Sequence, residues 1–299
     1  MIMRVATFSM SDQMLSAALR TQGKLASQQL QEATGLVSTD YGGLGAGSRQ
    51  LLDLQVSITR SKSYSDAASS ASGRATVMSS ALSSISDLIT QFRAQLTEAS
   101  NNLDSGGSTL QETAKQLLGE LSAQLNTQFE GRYVFAGSAT EQKPVDTSAL
   151  AASPTDADTS YYQGNSDVTS VRVSDERTIQ YGITADNPAF EKVIRALNIV
   201  ANASTLDADT LDEATSLSLD ALDGVLGEQG KLSVDSASME RAISAQTEYQ
   251  DFATSLGTDL NSVDVAALTA QMSAYETQLE ASYSAIAKIS NLNLFNYLK

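Results

Sequence analysis

Histidine, cysteine and tryptophan are absent from the 299 residues, and proline occurs only three times. The missing histidine and cysteine remove the commonest general base, the thiolate nucleophile and most transition-metal ligands. An enzyme would have to work with a Ser–Lys pair or paired carboxylates. The serines, however, are scattered through helix-like stretches without a strained strand-turn-helix elbow. No catalytic residue, cofactor or metal site is therefore expected. Without cysteine there is no disulfide, so a secreted location is neither supported nor excluded. Long apolar runs are missing too. Nowhere do eighteen apolar residues follow one another, and the start "MIMRVATFSMSDQMLSAALR" holds no continuous apolar core of signal-peptide length. The expectation is neither a standard secretory signal nor insertion into a membrane.

Positive charge is scarce in one region. The chain carries 19 Lys+Arg against 35 Asp+Glu, a net charge of −16. Residues 101–248 hold 9 against 23, or −14 of that total, while residues 1–100 hold 8 against 7 and residues 249–299 hold 2 against 5. An acidic middle argues against nucleic acid and anionic lipid as partners, because both repel it.

All three prolines, Pro144, Pro154 and Pro188, fall within one 45-residue window, and proline breaks helix interiors. Outside the window, helical periodicity dominates. Met78, Leu82, Ile85, Ile89, Phe92, Leu96, Ala99 and Leu103 follow gaps of 4,3,4,3,4,3,4, the alternation that keeps one apolar stripe facing a partner. After "SGGS" at 105–108, Leu110, Ala114, Leu117, Leu121 and Leu125 repeat the pattern, which predicts a second helix turning back on the first. Near the C-terminus, Leu268, Met272, Tyr275, Leu279, Tyr283, Ile286, Ile289 and Leu292 stand 4,3,4,4,3,3,3 apart. A helix over 264–292 would be roughly 44 Å long at about 1.5 Å per residue, too long for a small local fold to cover. The N-terminal segment carries a sparser stripe of Phe8, Leu15, Leu19, Leu25 and Leu30, diluted by glutamines.

The proline window reads as a small β-rich insert, with period-2 stretches at 171–173 and 179–183 and a turn at Gly164-Asn165. It closes at "DNPAFEKVIRALNIV", where Asn187 suits an N-cap, Pro188 the first helical turn, and Val193, Ile194, Leu197 and Val200 an apolar face. Two acidic amphipathic segments, about 208–226 and 236–256, are expected to carry the chain back toward the terminal helix.

Some motifs have bland readings that win. "GGLGAGS" at 42–48 has Ser48 where a dinucleotide fingerprint needs Gly or Ala, and no hydrophobic strand precedes it, so it reads as a flexible inter-domain loop. "DADTLDEAT" at 207–215 starts like a calcium loop, but Asp212 stands where the sharp-turn glycine belongs and the twelfth position has no Glu. Acids at a helix N-terminus account for it better. Arg132 and Tyr133 read as structural members of a hairpin. The tail "NLNLFNYLK" does not reduce to a core in this way, since apolar side chains at a fraying terminus need a covering partner.

Three stretches, "QQLQEATGLV" at 28–37, "FEGRYVFAG" at 129–137 and the tail from Leu279 to Leu298, resemble the flagellin superfamily and, within it, the hook–filament junction subunits of the bacterial flagellum. The hairpin is the most specific of the three. In the first stretch the chain departs from the usual form, with Leu36, a lone Asp40 and "YGGLGAGS" where relatives carry a basic residue and later a paired Asp.

The resemblance implies a mainly α fold. Long N- and C-terminal helices pair in a rod or coiled-coil bundle, with a β-hairpin and a small β-rich domain inserted mid-chain. It implies a terminal rod of 1–42 and 262–299, a helical bundle with the hairpin at 43–137 and 188–261, and an outer domain at 138–187. The implied assembly interface is Phe8, Leu15, Leu19, Leu25, Leu279, Tyr283, Ile286, Ile289, Leu292, Leu294, Phe295 and Leu298. The family hairpin is Gly131, Arg132, Tyr133, Phe135 and Gly137. Implied partners are further copies of the chain, a neighbouring hook-associated protein, flagellin and an export chaperone, at an extracellular location reached without a cleaved signal. Two other readings stay open: the bulk filament subunit, and a type III-secreted needle-tip or translocator protein, the last of which would not explain the hairpin.

Overall fold

Six helices run through the residues that the computed structural model describes, which are 2–101, 107–150 and 156–291. They are α1 (Ile2–Thr34), α2 (Gly47–Asn101), α3 (Gly107–Leu125), α4 (Pro188–Asn202), α5 (Ala208–Asn261) and α6 (Val265–Asn291). Two short antiparallel hairpins accompany them, β1 (Gln128–Phe129) with β2 (Arg132–Tyr133) and β3 (Ser170–Arg172) with β4 (Thr178–Gln180). The chain divides into two units, residues 1–59 with 251–299 and residues 60–250.

In the unit of residues 60–250, the sequence stripes become the core. Met78, Leu82, Ile85, Ile89, Phe92 and Leu96 of α2 are fully buried, as are Ala114, Leu117, Leu121 and Leu125 of α3. Each large apolar side chain so buried contributes about 1.5–3 kcal/mol. Leu103 of the expected stripe lies outside the described residues. α4 starts as its sequence requires: the Asn187 side chain accepts the Ala189 N–H, Pro188 occupies the first turn, and Val193, Ile194, Leu197 and Val200 are buried. The β-rich segment adds Val145, Tyr161, Val171, Val173, Ile179 and Tyr181 to the same core.

The two acidic segments expected at about 208–226 and 236–256 belong to one helix, since α5 runs unbroken for 54 residues. Leu211, Ala214, Ala221, Val225, Leu232, Met239 and Ala242 carry one buried stripe straight across the glycine-containing stretch. Burial of that stripe outweighs the weak helix propensity of glycine, about 1 kcal/mol each. The expected loop at 42–48 is also shorter than read. Tyr41–Leu44 form a 3-10 turn in which the Asp40 carboxylate accepts the Gly43 N–H at 3.0 Å, and α2 starts at Gly47.

The β1–β2 hairpin pairs Gln128 with Tyr133 and Phe129 with Arg132, leaving Glu130 (φ 51°) and Gly131 (φ 76°) as a two-residue turn. Two successive positive φ values are what a tight hairpin turn needs to match strand twist. The hairpin sits on α2. Arg74 donates to the carbonyl oxygens of Tyr133 (3.3 Å) and Val134 (3.1 Å), and Gly73 leaves space for the Phe129 ring, which a Cβ would approach to 3.1 Å. Beyond it, the buried Phe135 meets Phe190 edge to face at 5.9 Å. A Cβ on Gly137 would collide with the Asn165 carbonyl oxygen. The motif Gly131–Gly137 is therefore a packing device, and Arg74 holds it from outside the motif.

Candidate assembly surface

The unit of residues 1–59 and 251–299 is built on the α1–α6 pair. Helical spacing lines up Met14, Ala18, Thr21, Leu25 and Gln28 on one side of α1, at gaps of 4,3,4,3, and these are the partly or fully buried positions. On α6, Leu268 and Leu279 are buried and Met272, Tyr275, Ser282, Ile286 and Ile289 are half-buried, again at alternating gaps. Two contacts fix the direction. Gln28 Nε2 donates to Gln271 Oε1 at 2.7 Å, and the Lys24 ammonium lies 5.8 Å from the centre of the Tyr275 ring. Moving four residues down one helix moves four up the other, so the pair is antiparallel.

The loops beyond the pair lock its register. Val37 N donates to Asn261 O at 2.7 Å, Val263 N to Gly35 O at 3.0 Å, and Ser38 N to the Asn261 side-chain oxygen at 3.2 Å. Asp264 caps α6, accepting from Ala266 N and Ala267 N at 3.0 and 3.1 Å. A groove of about 440 Å³ nearby is lined by Leu36, Leu51, Leu54, Ile58 and Ala253 with a polar rim.

The expected interface residues fall into three sets. Leu25, Leu279, Ile286 and Ile289 lie in the α1–α6 seam. Leu15 and Leu19, with Leu30, do not; they are exposed, about 130° around α1 from the seam at 100° per residue. Tyr283 is likewise half-exposed on α6 while Ser282 takes the seam position. The side chain of Phe8, and Leu292, Leu294, Phe295 and Leu298, lie outside what the structure describes. The seam partners Met14, Ala18, Thr21 and Gln28 escaped the sequence reading. Their gaps were readable, but Ala, Thr and Gln give too little apolar contrast to mark a stripe.

Chemically this surface offers contact and little else. Among the described residues there is no group of three or more His, Cys, Asp or Glu that could hold a metal ion, and no helix is long and apolar enough to cross a membrane. α1 instead presents two apolar stripes where one internal partner uses only one. Residues 5–140, from α1 through the β1–β2 hairpin, match the family described as the bacterial flagellin N-terminal helical region. Over that span, a little under half of its length, the chain is similar to a flagellin N-terminal helical region.

The matched span holds two of the stretches on which the sequence resemblance rested, 28–37 and 129–137. No curated protein matches the chain. Among solved structures, a flagellar hook-associated protein from Vibrio parahaemolyticus is 18% identical with a TM-score of 0.61, covering 75% of this chain and 99% of its own. FlgL from Bacillus cereus is 16% identical with a TM-score of 0.56, covering 70% and 98%. Flagellar hook-associated protein-3 from Legionella pneumophila is 15% identical with a TM-score of 0.56, covering 69% and 98%. At such identities the likeness establishes the fold, which is mainly α and flagellin-like.

Proposed function

We propose that the chain is a structural subunit of the bacterial flagellum that joins hook-associated proteins to the flagellin filament by helix–helix polymerisation of its termini. The observation that carries this reading is the second stripe of α1, Leu15, Leu19 and Leu30, which stays exposed after α6 has covered the first. A stripe of leucines on a helix already paired needs a further helix, and a polymer of the same subunit supplies one. The match to a flagellin N-terminal helical region and the likeness to two structures described as flagellar hook-associated proteins and a third described as FlgL support the junction position over the bulk filament. In this reading residues 1–42 and 262–299 form the inner assembly rod, 43–137 and 188–261 the bundle, and 138–187 the outer part. The subunit is not an enzyme, and it leaves the cell through the flagellar export route with a chaperone. Immunogold labelling of isolated flagella tests it: a single band at the hook–filament boundary is expected. Label along the filament would replace the junction reading with bulk flagellin, and no label on flagella would overturn the proposal.

A further inference from the structure

The groove between the start of α2 and the end of α5, in the unit of residues 1–59 and 251–299, is left open by the subunit. Leu51, Leu54 and Ile58 of α2 line it and stay only half-buried, and Gly257 of α5 faces Leu51, whose methyl a Cβ would approach to 3.2 Å. Glycine there spares the groove a side chain that would fill it. The polar rim is Gln55, Thr254, Thr258 and Asn261, so no charged residue lines the groove. In the unit of residues 60–250 the same two helices are closed instead, by the buried Ser61, whose hydroxyl donates to Gln246 O at 3.0 Å.

Size and the lack of charge decide what fills it. From Leu51 to Ile58 the groove runs about 10 Å along α2 at about 1.5 Å per residue, room for a few side chains of a short segment and too little for the Leu15–Leu30 stripe, which spans about 22 Å. Residues 289–298, "ISNLNLFNYL", carry no charge and set Leu292, Leu294, Phe295 and Leu298 among asparagines. An apolar groove rimmed by amides and hydroxyls suits such a segment, whereas a charged one would lose its hydration there without gaining a partner. The same chain's own segment does not reach. α6 starts at Val265, four residues past Asn261 at the groove's end, packs on α1 and supplies no residue to the groove. Asn291 stands about 39 Å further along α6. Leu298, seven residues beyond Asn291, lies within about 25 Å of it even at full extension, roughly 14 Å short of Val265. We infer that residues 292–298 of one subunit, which lie outside the described residues, dock into the Leu51–Ile58 groove of a second copy. The contact joins two different surfaces, so it propagates head to tail instead of stopping at a dimer.

This inference rests on the self-assembly proposed above, and the experiment separates the two. Full-length subunit carrying the photoreactive analogue benzoylphenylalanine in place of Phe295 is mixed with isotope-labelled wild-type subunit, association is followed by sedimentation velocity, and cross-linked peptides are mapped by mass spectrometry. Cross-links from the analogue into residues 51–58 or 253–258 of the labelled copy are expected. Cross-links within one copy alone overturn the second copy as donor of the segment, and cross-links only outside the groove overturn the groove as its site. Thr254→Lys, on the exposed rim, and Phe295→Asp are each expected to weaken association at least tenfold with thermal unfolding of the dilute subunit unchanged. Their combination should lose little more than either alone, since both break one contact. Association unchanged by either, or losses that multiply, overturn the inference and leave self-assembly standing. A wild-type chain that never associates overturns both this inference and the self-assembly on which it rests.

Discussion

Replacing Leu15, Leu19 and Leu30 together by serine separates the two faces of α1. Leu19 is 58% exposed and the other two are similarly open. Burying a leucine fully contributes about 1.5–3 kcal/mol, so each of the three keeps roughly 1 kcal/mol in reserve for a contact made outside the subunit. Three of them amount to about 3 kcal/mol, or a loss of association of roughly a hundredfold. The free subunit should hardly notice, since exposed substitutions stay within about 0.5 kcal/mol each. Leu279→Ser is the counterpart. With 8% exposure in the seam it should cost the α1–α6 pair about 2–4 kcal/mol before any assembly begins. Helicity by circular dichroism during chemical denaturation reads the subunit, and sedimentation reads the assembly. Two results would refute the reasoning: a triple variant that assembles as well as wild type, or one that destabilises the free subunit as much as Leu279→Ser does.

Dilute protease acting on the free subunit should cut within residues 1–40 and 265–285 before 60–250, because α1 and α6 share a narrow seam whereas the larger unit has a continuous core; equal resistance throughout would contradict this. Arg74→Met should destabilise the larger unit by about 1–3 kcal/mol and speed amide exchange at β1–β2, because two carbonyl contacts are lost; unchanged exchange there would count against Arg74 as the hairpin's anchor. The Tyr64 hydroxyl, at 2.7 Å, and the Arg60 guanidinium hold the Asp175 carboxyl below its ordinary value. A depressed acid stabilises the fold above its unfolded value and loses that effect as pH falls through the folded one, so β3–β4 exchange should quicken below about pH 4 and Asp175→Asn should flatten the change.

How much of this was legible in the sequence depended on apolar contrast. The second half of α2, and α3, could be read residue by residue because Met, Leu, Ile and Phe stand at most inward positions among polar neighbours, whereas Ser61, Ala68, Ala71 and Ala75 leave the first half of α2 without such contrast. α4 was legible from its cap, since Asn187-Pro188 has one clear structural use. β3–β4 was visible as period-2 stretches at 171–173 and 179–183, whereas β1–β2 was read from its motif and the turn expected at Gly164-Asn165 is not the one that joins β3 to β4. Between the two acidic segments the sequence holds Gly227 and Gly230 with little apolar contrast, yet a stripe continuing at Leu232 and Met239 keeps α5 going. Tertiary burial overrides propensity there.

The candidate surface failed to resolve for a more instructive reason. On α1 the stronger apolar signal, Leu15, Leu19 and Leu30, belongs to the outward face, and the weaker one, Ala18, Thr21 and Gln28 between Met14 and Leu25, to the internal seam. A helix that buried its best hydrophobes within its own chain would form a stable monomer with no drive to polymerise. Placing alanine, threonine and a glutamine hydrogen bond inside keeps the internal pair modest, and leucines outside keep affinity in reserve for neighbours. The backbone contacts between Gly35–Ser38 and Asn261–Val263 then supply the register that such a seam specifies poorly. For a subunit proposed to polymerise through its termini, this distribution suits the role: the seam and its loop contacts align the pair, and the exposed leucines of α1 are left for a second subunit.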